Sequence, residues 1–75
     1  MMTLLAAKPG NGYIVEGMNL DVATMRRLEA LGMTKGTNIK VLNRNIGGAI
    51  ILMVRGTRLA VGRKIAGEIR TREVS

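Results

Sequence analysis

The sequence predicts a mostly β fold: a small antiparallel barrel with one inserted α-helix, over about residues 21–31. Three observations indicate this fold. After residue 36 the apolar residues alternate in short runs of strand length. Glycine-containing segments short enough for tight turns separate these runs. The chain of 75 residues makes a single domain, 1–75, and closing its sheet would remove strand edges that so small a protein could not otherwise protect.

The first elements along the chain are a turn and a short strand. Residues 9–12, Pro-Gly-Asn-Gly, have turn chemistry. The apolar residues that follow predict a strand over 13–16, ending at Gly17.

The predicted helix has start and stop signals that agree with each other. Asp21 is a suitable N-cap, because its carboxylate can accept hydrogen bonds from the free amides of the first turn. Gly32 stands where a left-handed residue commonly ends a helix, and Met33 would then pack on Leu28 as in a Schellman motif. A recurrence every three residues predicts one apolar stripe on this helix, formed by Val22, Met25, Leu28 and Leu31.

The remainder of the chain predicts strands joined by turns. Gly36 and Gly56 are assigned to tight turns, since glycine adopts the backbone conformations that such turns need. Thr37, Ile39 and Val41 share one face of the first of these strands, and Ile69 points inward from the last. In order, we predict strands over 37–43, 49–54 and 58–61, a helical turn over 62–67, and a final strand over 68–74.

Residues 49–54 are apolar on both faces of their strand. A barrel strand needs one apolar face for the core, so its second face needs a cover. The helix or the N-terminal segment could lie over that face. The alternative is an interface with a partner or with a second copy of the chain.

Composition restricts the chemistry of the protein. The chain has no Cys and no His. It therefore has no thiolate nucleophile and no zinc ribbon, and it lacks the usual metal ligand and general base. Its five Asp and Glu residues are scattered, and its six Met residues are assigned to core filling. We predict that the protein is not an enzyme and holds no cofactor or metal.

The longest apolar run, over 49–54, is far shorter than a membrane-spanning helix requires. We therefore predict a cytoplasmic protein that does not insert into a membrane.

The charge is the main pointer to function, with 12 Lys and Arg against five acidic residues and a net charge of +7. A solvated surface, an acidic protein partner and a nucleic acid each fit this balance. The single aromatic residue, Tyr13, speaks against the base stacking of single-strand binders, and no recognition helix is evident. Nucleic acid is therefore the least favoured of the three.

Three segments, in order, carry a resemblance to a known family. Residues 27–37 read Arg-Leu-Glu-Ala-Leu-Gly-Met-Thr-Lys-Gly-Thr and resemble the R-L-x-x-L-G-φ-x-x-G-t signature of the ferrous iron transport protein A family, FeoA, where φ is apolar. Residues 54–61 resemble its v-x-G-x-x-l-a-l segment, and residues 63–69 its closing helical turn and strand. The ordered resemblance extends over roughly the whole chain.

The resemblance implies an SH3-like barrel and a cytoplasmic accessory protein of bacterial ferrous iron uptake. It implies a partner, the cytosolic part of the permease FeoB. Fe(II) prefers imidazole or carboxylate ligands, which this sequence does not cluster, so the protein should act by contacting the transporter. Two alternatives remain: a small basic nucleic-acid-binding barrel, and a stand-alone relative of the SH3-like domain of metal-dependent repressors.

We predict the partner surface where the helix meets the following strand and at nearby basic residues. Its predicted contact residues are Arg26, Arg27, Met33, Lys35, Arg55 and Arg58. Four further residues are predicted to serve as caps and turns: Asp21, Gly32, Gly36 and Gly56.

Overall fold

The computed structural model describes residues 2–74 and confirms the mostly β prediction. Its strands are β1 (Met2–Thr3), β2 (Gly12–Met18), β3 (Asn38–Arg44), β4 (Ile50–Val54), β5 (Thr57–Val61) and β6 (Ile69–Glu73). A 3₁₀ turn spans Leu4–Ala6, and the two helices are α1 (Val22–Ala30) and α2 (Arg63–Ala66). Each of these strands and helices, apart from β1, falls on a predicted element, and β2 is longer than predicted. The short β1 and the 3₁₀ turn were not predicted.

The six strands form a single antiparallel sheet in the order β1-β6-β2-β3-β4-β5. The C-terminal strand β6 lies between β1 and β2 and pairs with both. Its pairing with the N-terminal strand β1 brings the two ends of the chain together. The closure expected from edge protection is incomplete: within residues 2–74, β1 and β5 lie at opposite ends of the sheet and do not pair with each other.

The start of α1 is capped as predicted. One carboxylate oxygen of Asp21 accepts a hydrogen bond from the Thr24 N–H at 3.1 Å, and the other accepts one from the Thr24 hydroxyl at 2.7 Å. Both bonds favour the charged carboxylate, led by the hydroxyl bond, and they lower the pKa of Asp21 below its ordinary 3.8.

The end of α1 is the predicted Schellman motif. The N–H of Met33 donates to the Leu28 carbonyl at 3.0 Å, and the N–H of Gly32 donates to the Glu29 carbonyl at 3.0 Å. Gly32 has a φ of +105°, in the left-handed region that favours glycine. This motif turns the chain out of the helix towards β3.

The single apolar stripe predicted for α1 is wrong. Leu28 is buried and Met25 half-buried, but Val22 and Leu31 are 56% and 43% exposed. The reason is helix geometry: each step of three residues turns the helix by about 300°, so three steps leave its two ends about 180° apart. Only the middle of the stripe faces the barrel.

The core is formed by the inward-facing residues of the strands together with residues of the 3₁₀ turn, α1, α2 and the adjoining loops. Alternate residues of β4 point into it, namely Ile50, Leu52 and Val54, all at most 1% exposed. Tyr13 is also buried, and its hydroxyl accepts a hydrogen bond from the Lys8 N–H at 2.7 Å. The core residues are Leu4, Ala7, Tyr13, Val15, Leu28, Met33, Ile39, Val41, Ile50, Leu52, Val54, Val61, Ala66 and Ile69.

Replacing Thr71 with valine is expected to raise the free energy of unfolding by about 1–3 kcal/mol, the cost of an unpaired buried polar group. Thr71 is fully buried between Met2 and Val15 in the sheet, and its hydroxyl has no hydrogen-bond partner. Urea unfolding measures the change. Thr71→Ser is the control, because it keeps the hydroxyl, loses a methyl group and should destabilise. A destabilising Thr71→Val would show that the hydroxyl is satisfied in solution.

Candidate functional site

The positive charge is concentrated in one half of the fold. Residues 30–67 contain seven Lys and Arg and no Asp or Glu, whereas the rest of the chain contains five of each sign. We call residues 30–67 the basic half; it comprises β3, β4, β5 and α2. The whole net charge of the protein therefore lies in the basic half.

No ion pair neutralises the basic half within the described part of the chain. The ion pair found there joins Arg72 and Glu16 at 3.4 Å, both outside the basic half. Both side chains are about half exposed, so this pair contributes little to stability. Apart from Arg44, whose guanidinium donates hydrogen bonds to backbone carbonyls, the cations of the basic half have no side-chain hydrogen bond or ion pair among residues 2–74.

Arg55 occupies the turn between β4 and β5 and reaches back to the end of α1. A Cβ placed on Gly32 would lie 2.9 Å from the Arg55 Cδ, so the arginine stem crosses the glycine that ends the helix. The negative end of the helix dipole favours a cation at this place. The fold therefore brings together the turn and the helix end, two parts of the predicted partner surface.

Arg58 lies in a row across the outer face of the sheet. Met53 pairs with Arg58 on one side and with Lys40 on the other, so the three side chains share that face. Met53 is half-buried, and both cations are exposed. Lys40 was missed by the sequence analysis: its alternation with Ile39 indicates an outward side chain, but only strand pairing places it beside Met53.

The other predicted contact residues divide into two groups. Arg26, Arg27 and Lys35 are exposed, with no hydrogen bond or ion pair of their side chains among residues 2–74. Met33 is fully buried, so its prediction as a surface contact is wrong. Its place after the Schellman glycine directs the side chain into the core, which excludes it from direct contact in this conformation.

Two arginines of the basic half make contacts within the fold that restrict their availability to a partner. The Arg44 guanidinium donates to the carbonyls of Leu5 and Ala7, each at 2.7 Å, and so fastens the N-terminal segment to β3. The Arg63 stem lies against Gly48, where an added Cβ would come within 3.2 Å of its Cδ. Arg44 thus has a structural role, and Arg63 packs on the loop between β3 and β4.

Residues 2–74 form no cavity and bring together no group of three His, Cys, Asp or Glu residues. In the same residues, no helix is long and apolar enough to cross a bilayer. The features available for recognition in the described chain are its surface charges, its exposed apolar residues and its strand edges.

Comparison with known proteins identifies the family. The model of the FeoA domain matches residues 2–73, almost the entire chain. The chain belongs to the FeoA family. A Methanocaldococcus jannaschii protein assigned as an Fe(2+) transport protein A is 35% identical over 69 residues, which cover 92% of this chain and 83% of that protein.

Solved FeoA structures share the fold. The solution structure of FeoA from Chlorobium tepidum has a TM-score of 0.92 at 29% identity, over 99% of this chain and 71% of that one. The zinc complex of Stenotrophomonas maltophilia FeoA, described as an SH3 domain protein, has a TM-score of 0.80 at 26% identity. The match covers 96% of this chain and 91% of that one. The SH3-like fold predicted from the FeoA resemblance is confirmed.

The same fold occurs in a metal regulator. The manganese regulator SloR superposes with a TM-score of 0.83 at 18% identity, over 96% of this chain but 34% of SloR. At this identity the similarity concerns the fold alone. It agrees with the SH3-like domain that the sequence analysis attributed to metal-dependent repressors.

Proposed function

We propose that this FeoA-family protein is a cytoplasmic accessory protein of ferrous iron uptake that binds the cytosolic domain of a FeoB-like permease. The link to ferrous iron uptake is supported by the family membership of the chain and by the assignment of the M. jannaschii relative to Fe(2+) transport. Binding to a protein partner is supported by one observation, the charge of the basic half: this segment contains seven cations and no carboxylate.

The charge arrangement favours a protein surface of opposite sign. Unpaired surface cations steer an acidic partner and set its orientation, and their effect declines as salt screens them. The Arg55 guanidinium at the end of α1 and the Arg58–Met53–Lys40 row supply charge beside apolar surface. This combination is suited to a transient interface with a polar rim.

The test is an amide NMR titration of the ¹⁵N-labelled protein with the isolated cytosolic domain of the permease at moderate salt. We expect chemical-shift changes confined to residues 27–37 and 55–58, with affinity that falls as salt is raised. A titration without shifts at equimolar and tenfold excess domain contradicts the proposed function.

Reversing charge at Arg27 and Arg58 together is expected to weaken binding about tenfold or more, because close charges are replaced by repulsion. Isothermal titration calorimetry of the Arg27→Glu/Arg58→Glu variant measures this loss. Lys8→Glu, a single reversal of an exposed charge that is not among the predicted contact residues, is the control for charge reversal and should bind nearly as the parent does. Equal affinity for all three proteins removes both arginines from the interface.

A parallel titration with single-stranded RNA at low salt tests the nucleic-acid alternative. RNA binding with a steep salt dependence, in the absence of binding to the permease domain, would replace the proposed function with that alternative.

A further inference from the structure

The open edge of β5 is a place where another chain could join the sheet. β5 is five residues long and, within residues 2–74, pairs only with β4. The opposite end strand, β1, has two residues. An open edge presents unpaired backbone N–H and C=O groups, which favour pairing with an extended segment.

The register identifies the open groups. Arg55 and Gly56 have φ of 50° and 78°, both positive, as in the type I′ turn of a two-residue hairpin. The pair that flanks such a turn is hydrogen-bonded, and bonded and non-bonded pairs then alternate along the hairpin. Arg58 and Ala60 occupy non-bonded pairs, so their N–H and C=O groups point away from β4. Two donors and two acceptors are therefore exposed along this edge.

The side chains along the edge favour a particular partner chemistry. Arg58 and Ala60 are exposed on the outer face, and Arg58 stands beside Met53. Leu59 is half-buried on the core face, packed against the core. A strand laid along β5 would place alternate residues beside Arg58 and beside Leu59. Acidic and apolar residues in alternation match both faces.

The charge of the protein argues against other occupants of this edge. A second copy would bring another chain of charge +7 and another Arg58 to the same edge, and like charges on adjacent strands are destabilising. A DNA backbone offers phosphate acceptors to the N–H groups but no donors for the two open carbonyls, and the ribose hydroxyls of RNA do not alternate with acceptors as the N–H and C=O groups of an extended peptide do.

We propose that the open edge of β5 binds an extended acidic segment of a partner protein, which joins the sheet as an additional strand with its carboxylates beside Arg58. The proposal rests on the proposed function for the identity of that partner, the cytosolic domain of the permease. The edge geometry and the peptide test below do not depend on it.

The first experiment titrates the ¹⁵N-labelled protein with an acetylated, amidated peptide of alternating glutamate and valine. We expect the largest amide shifts at Arg58 and Ala60, and slower hydrogen exchange of both amides. A peptide of alternating lysine and valine is the control and should leave these amides unchanged. Absence of shifts at millimolar glutamate peptide overturns the proposal. So does concentration-dependent broadening of Arg58 and Ala60 without peptide, which would assign the edge to a second copy.

The second experiment removes one edge donor. Ala60→Pro deletes an N–H that β4 does not use, and proline is tolerated on strand edges. We expect peptide affinity to fall about tenfold, the equivalent of about one hydrogen bond. Ala60→Val, which restores the N–H, should restore binding. Arg58→Glu gives a second route to the same loss if the proline variant does not fold, as judged by its circular dichroism spectrum.

Measuring the binding of the permease domain to the parent and to Ala60→Pro distinguishes this inference from the proposed function. If the domain binds the parent and folded Ala60→Pro equally well, the edge inference fails and the proposed function stands. If the domain does not bind but the glutamate peptide does, at Arg58 and Ala60, the proposed function fails and the edge inference stands.

Discussion

Replacing Leu52 with alanine is expected to lower the free energy of unfolding by about 2–5 kcal/mol, the range for large-to-small changes at buried leucines. Leu52 is fully buried at the centre of β4, paired with Val41 on one side and Leu59 on the other. A domain of this size has a total stability of about 4–11 kcal/mol, so the loss is a large fraction of it. The midpoint of thermal unfolding should fall by about 4–8 °C per kcal/mol.

The neighbouring residue of the same strand supplies the control. Ile51→Ala also shortens an aliphatic side chain, but Ile51 lies half-buried on the outer face, outside the core cluster. Its effect on the midpoint, followed by circular dichroism, should be clearly smaller. Equal losses for Leu52→Ala and Ile51→Ala would contradict the assignment of the core face of β4.

Replacing Gly32 with alanine is expected to cost about 1–3 kcal/mol, because L-residues are strained in the left-handed conformation. A second contribution comes from Arg55, whose Cδ would lie 2.9 Å from the new Cβ. The arginine must move, which disturbs the contact between the β4–β5 turn and the end of α1. Urea unfolding of the parent and the variant measures the combined effect.

Two further variants separate strain from crowding. Gly36 has a φ of +89° with open space around the position of an added Cβ, so Gly36→Ala reports backbone strain alone. Gly32→Ala should be more destabilising than Gly36→Ala. In an Arg55→Ala background, the difference between the two glycine variants should shrink. A difference unaffected by Arg55→Ala would mean that the arginine stem does not restrict this position.

The ends of α1 could be predicted from sequence because the interactions that set them are local. The carboxylate of Asp21 reaches an amide three residues away, and Gly32 ends the helix through bonds to carbonyls of its last turn. The later strands were predictable for a similar reason, since alternation records which residues face the core. The assignment of Met33 to the surface failed, although the Schellman motif that precedes it was predicted correctly.

The candidate site was less predictable, because it depends on contacts between residues far apart in sequence. The exposed positions of Arg26, Arg27, Lys35, Arg55 and Arg58 follow from their residue type. The position of the Arg55 stem over Gly32 and the row of Lys40, Met53 and Arg58 do not, since each requires a strand register. Arg44 shows most clearly what the sequence could not predict, because its guanidinium donates a hydrogen bond to a carbonyl 39 residues earlier in the chain.

By itself the sequence determined the helix and its caps, most of the strands, the family and the +7 charge. These properties reside in local hydrogen bonding, in periodicity and in residue type. Only the tertiary structure decided the strand order, which places the basic strands β3, β4 and β5 side by side, the burial of Met33 and the open edge of β5. Strand order and edges are set by pairing across the whole chain, for which no short segment carries a signal.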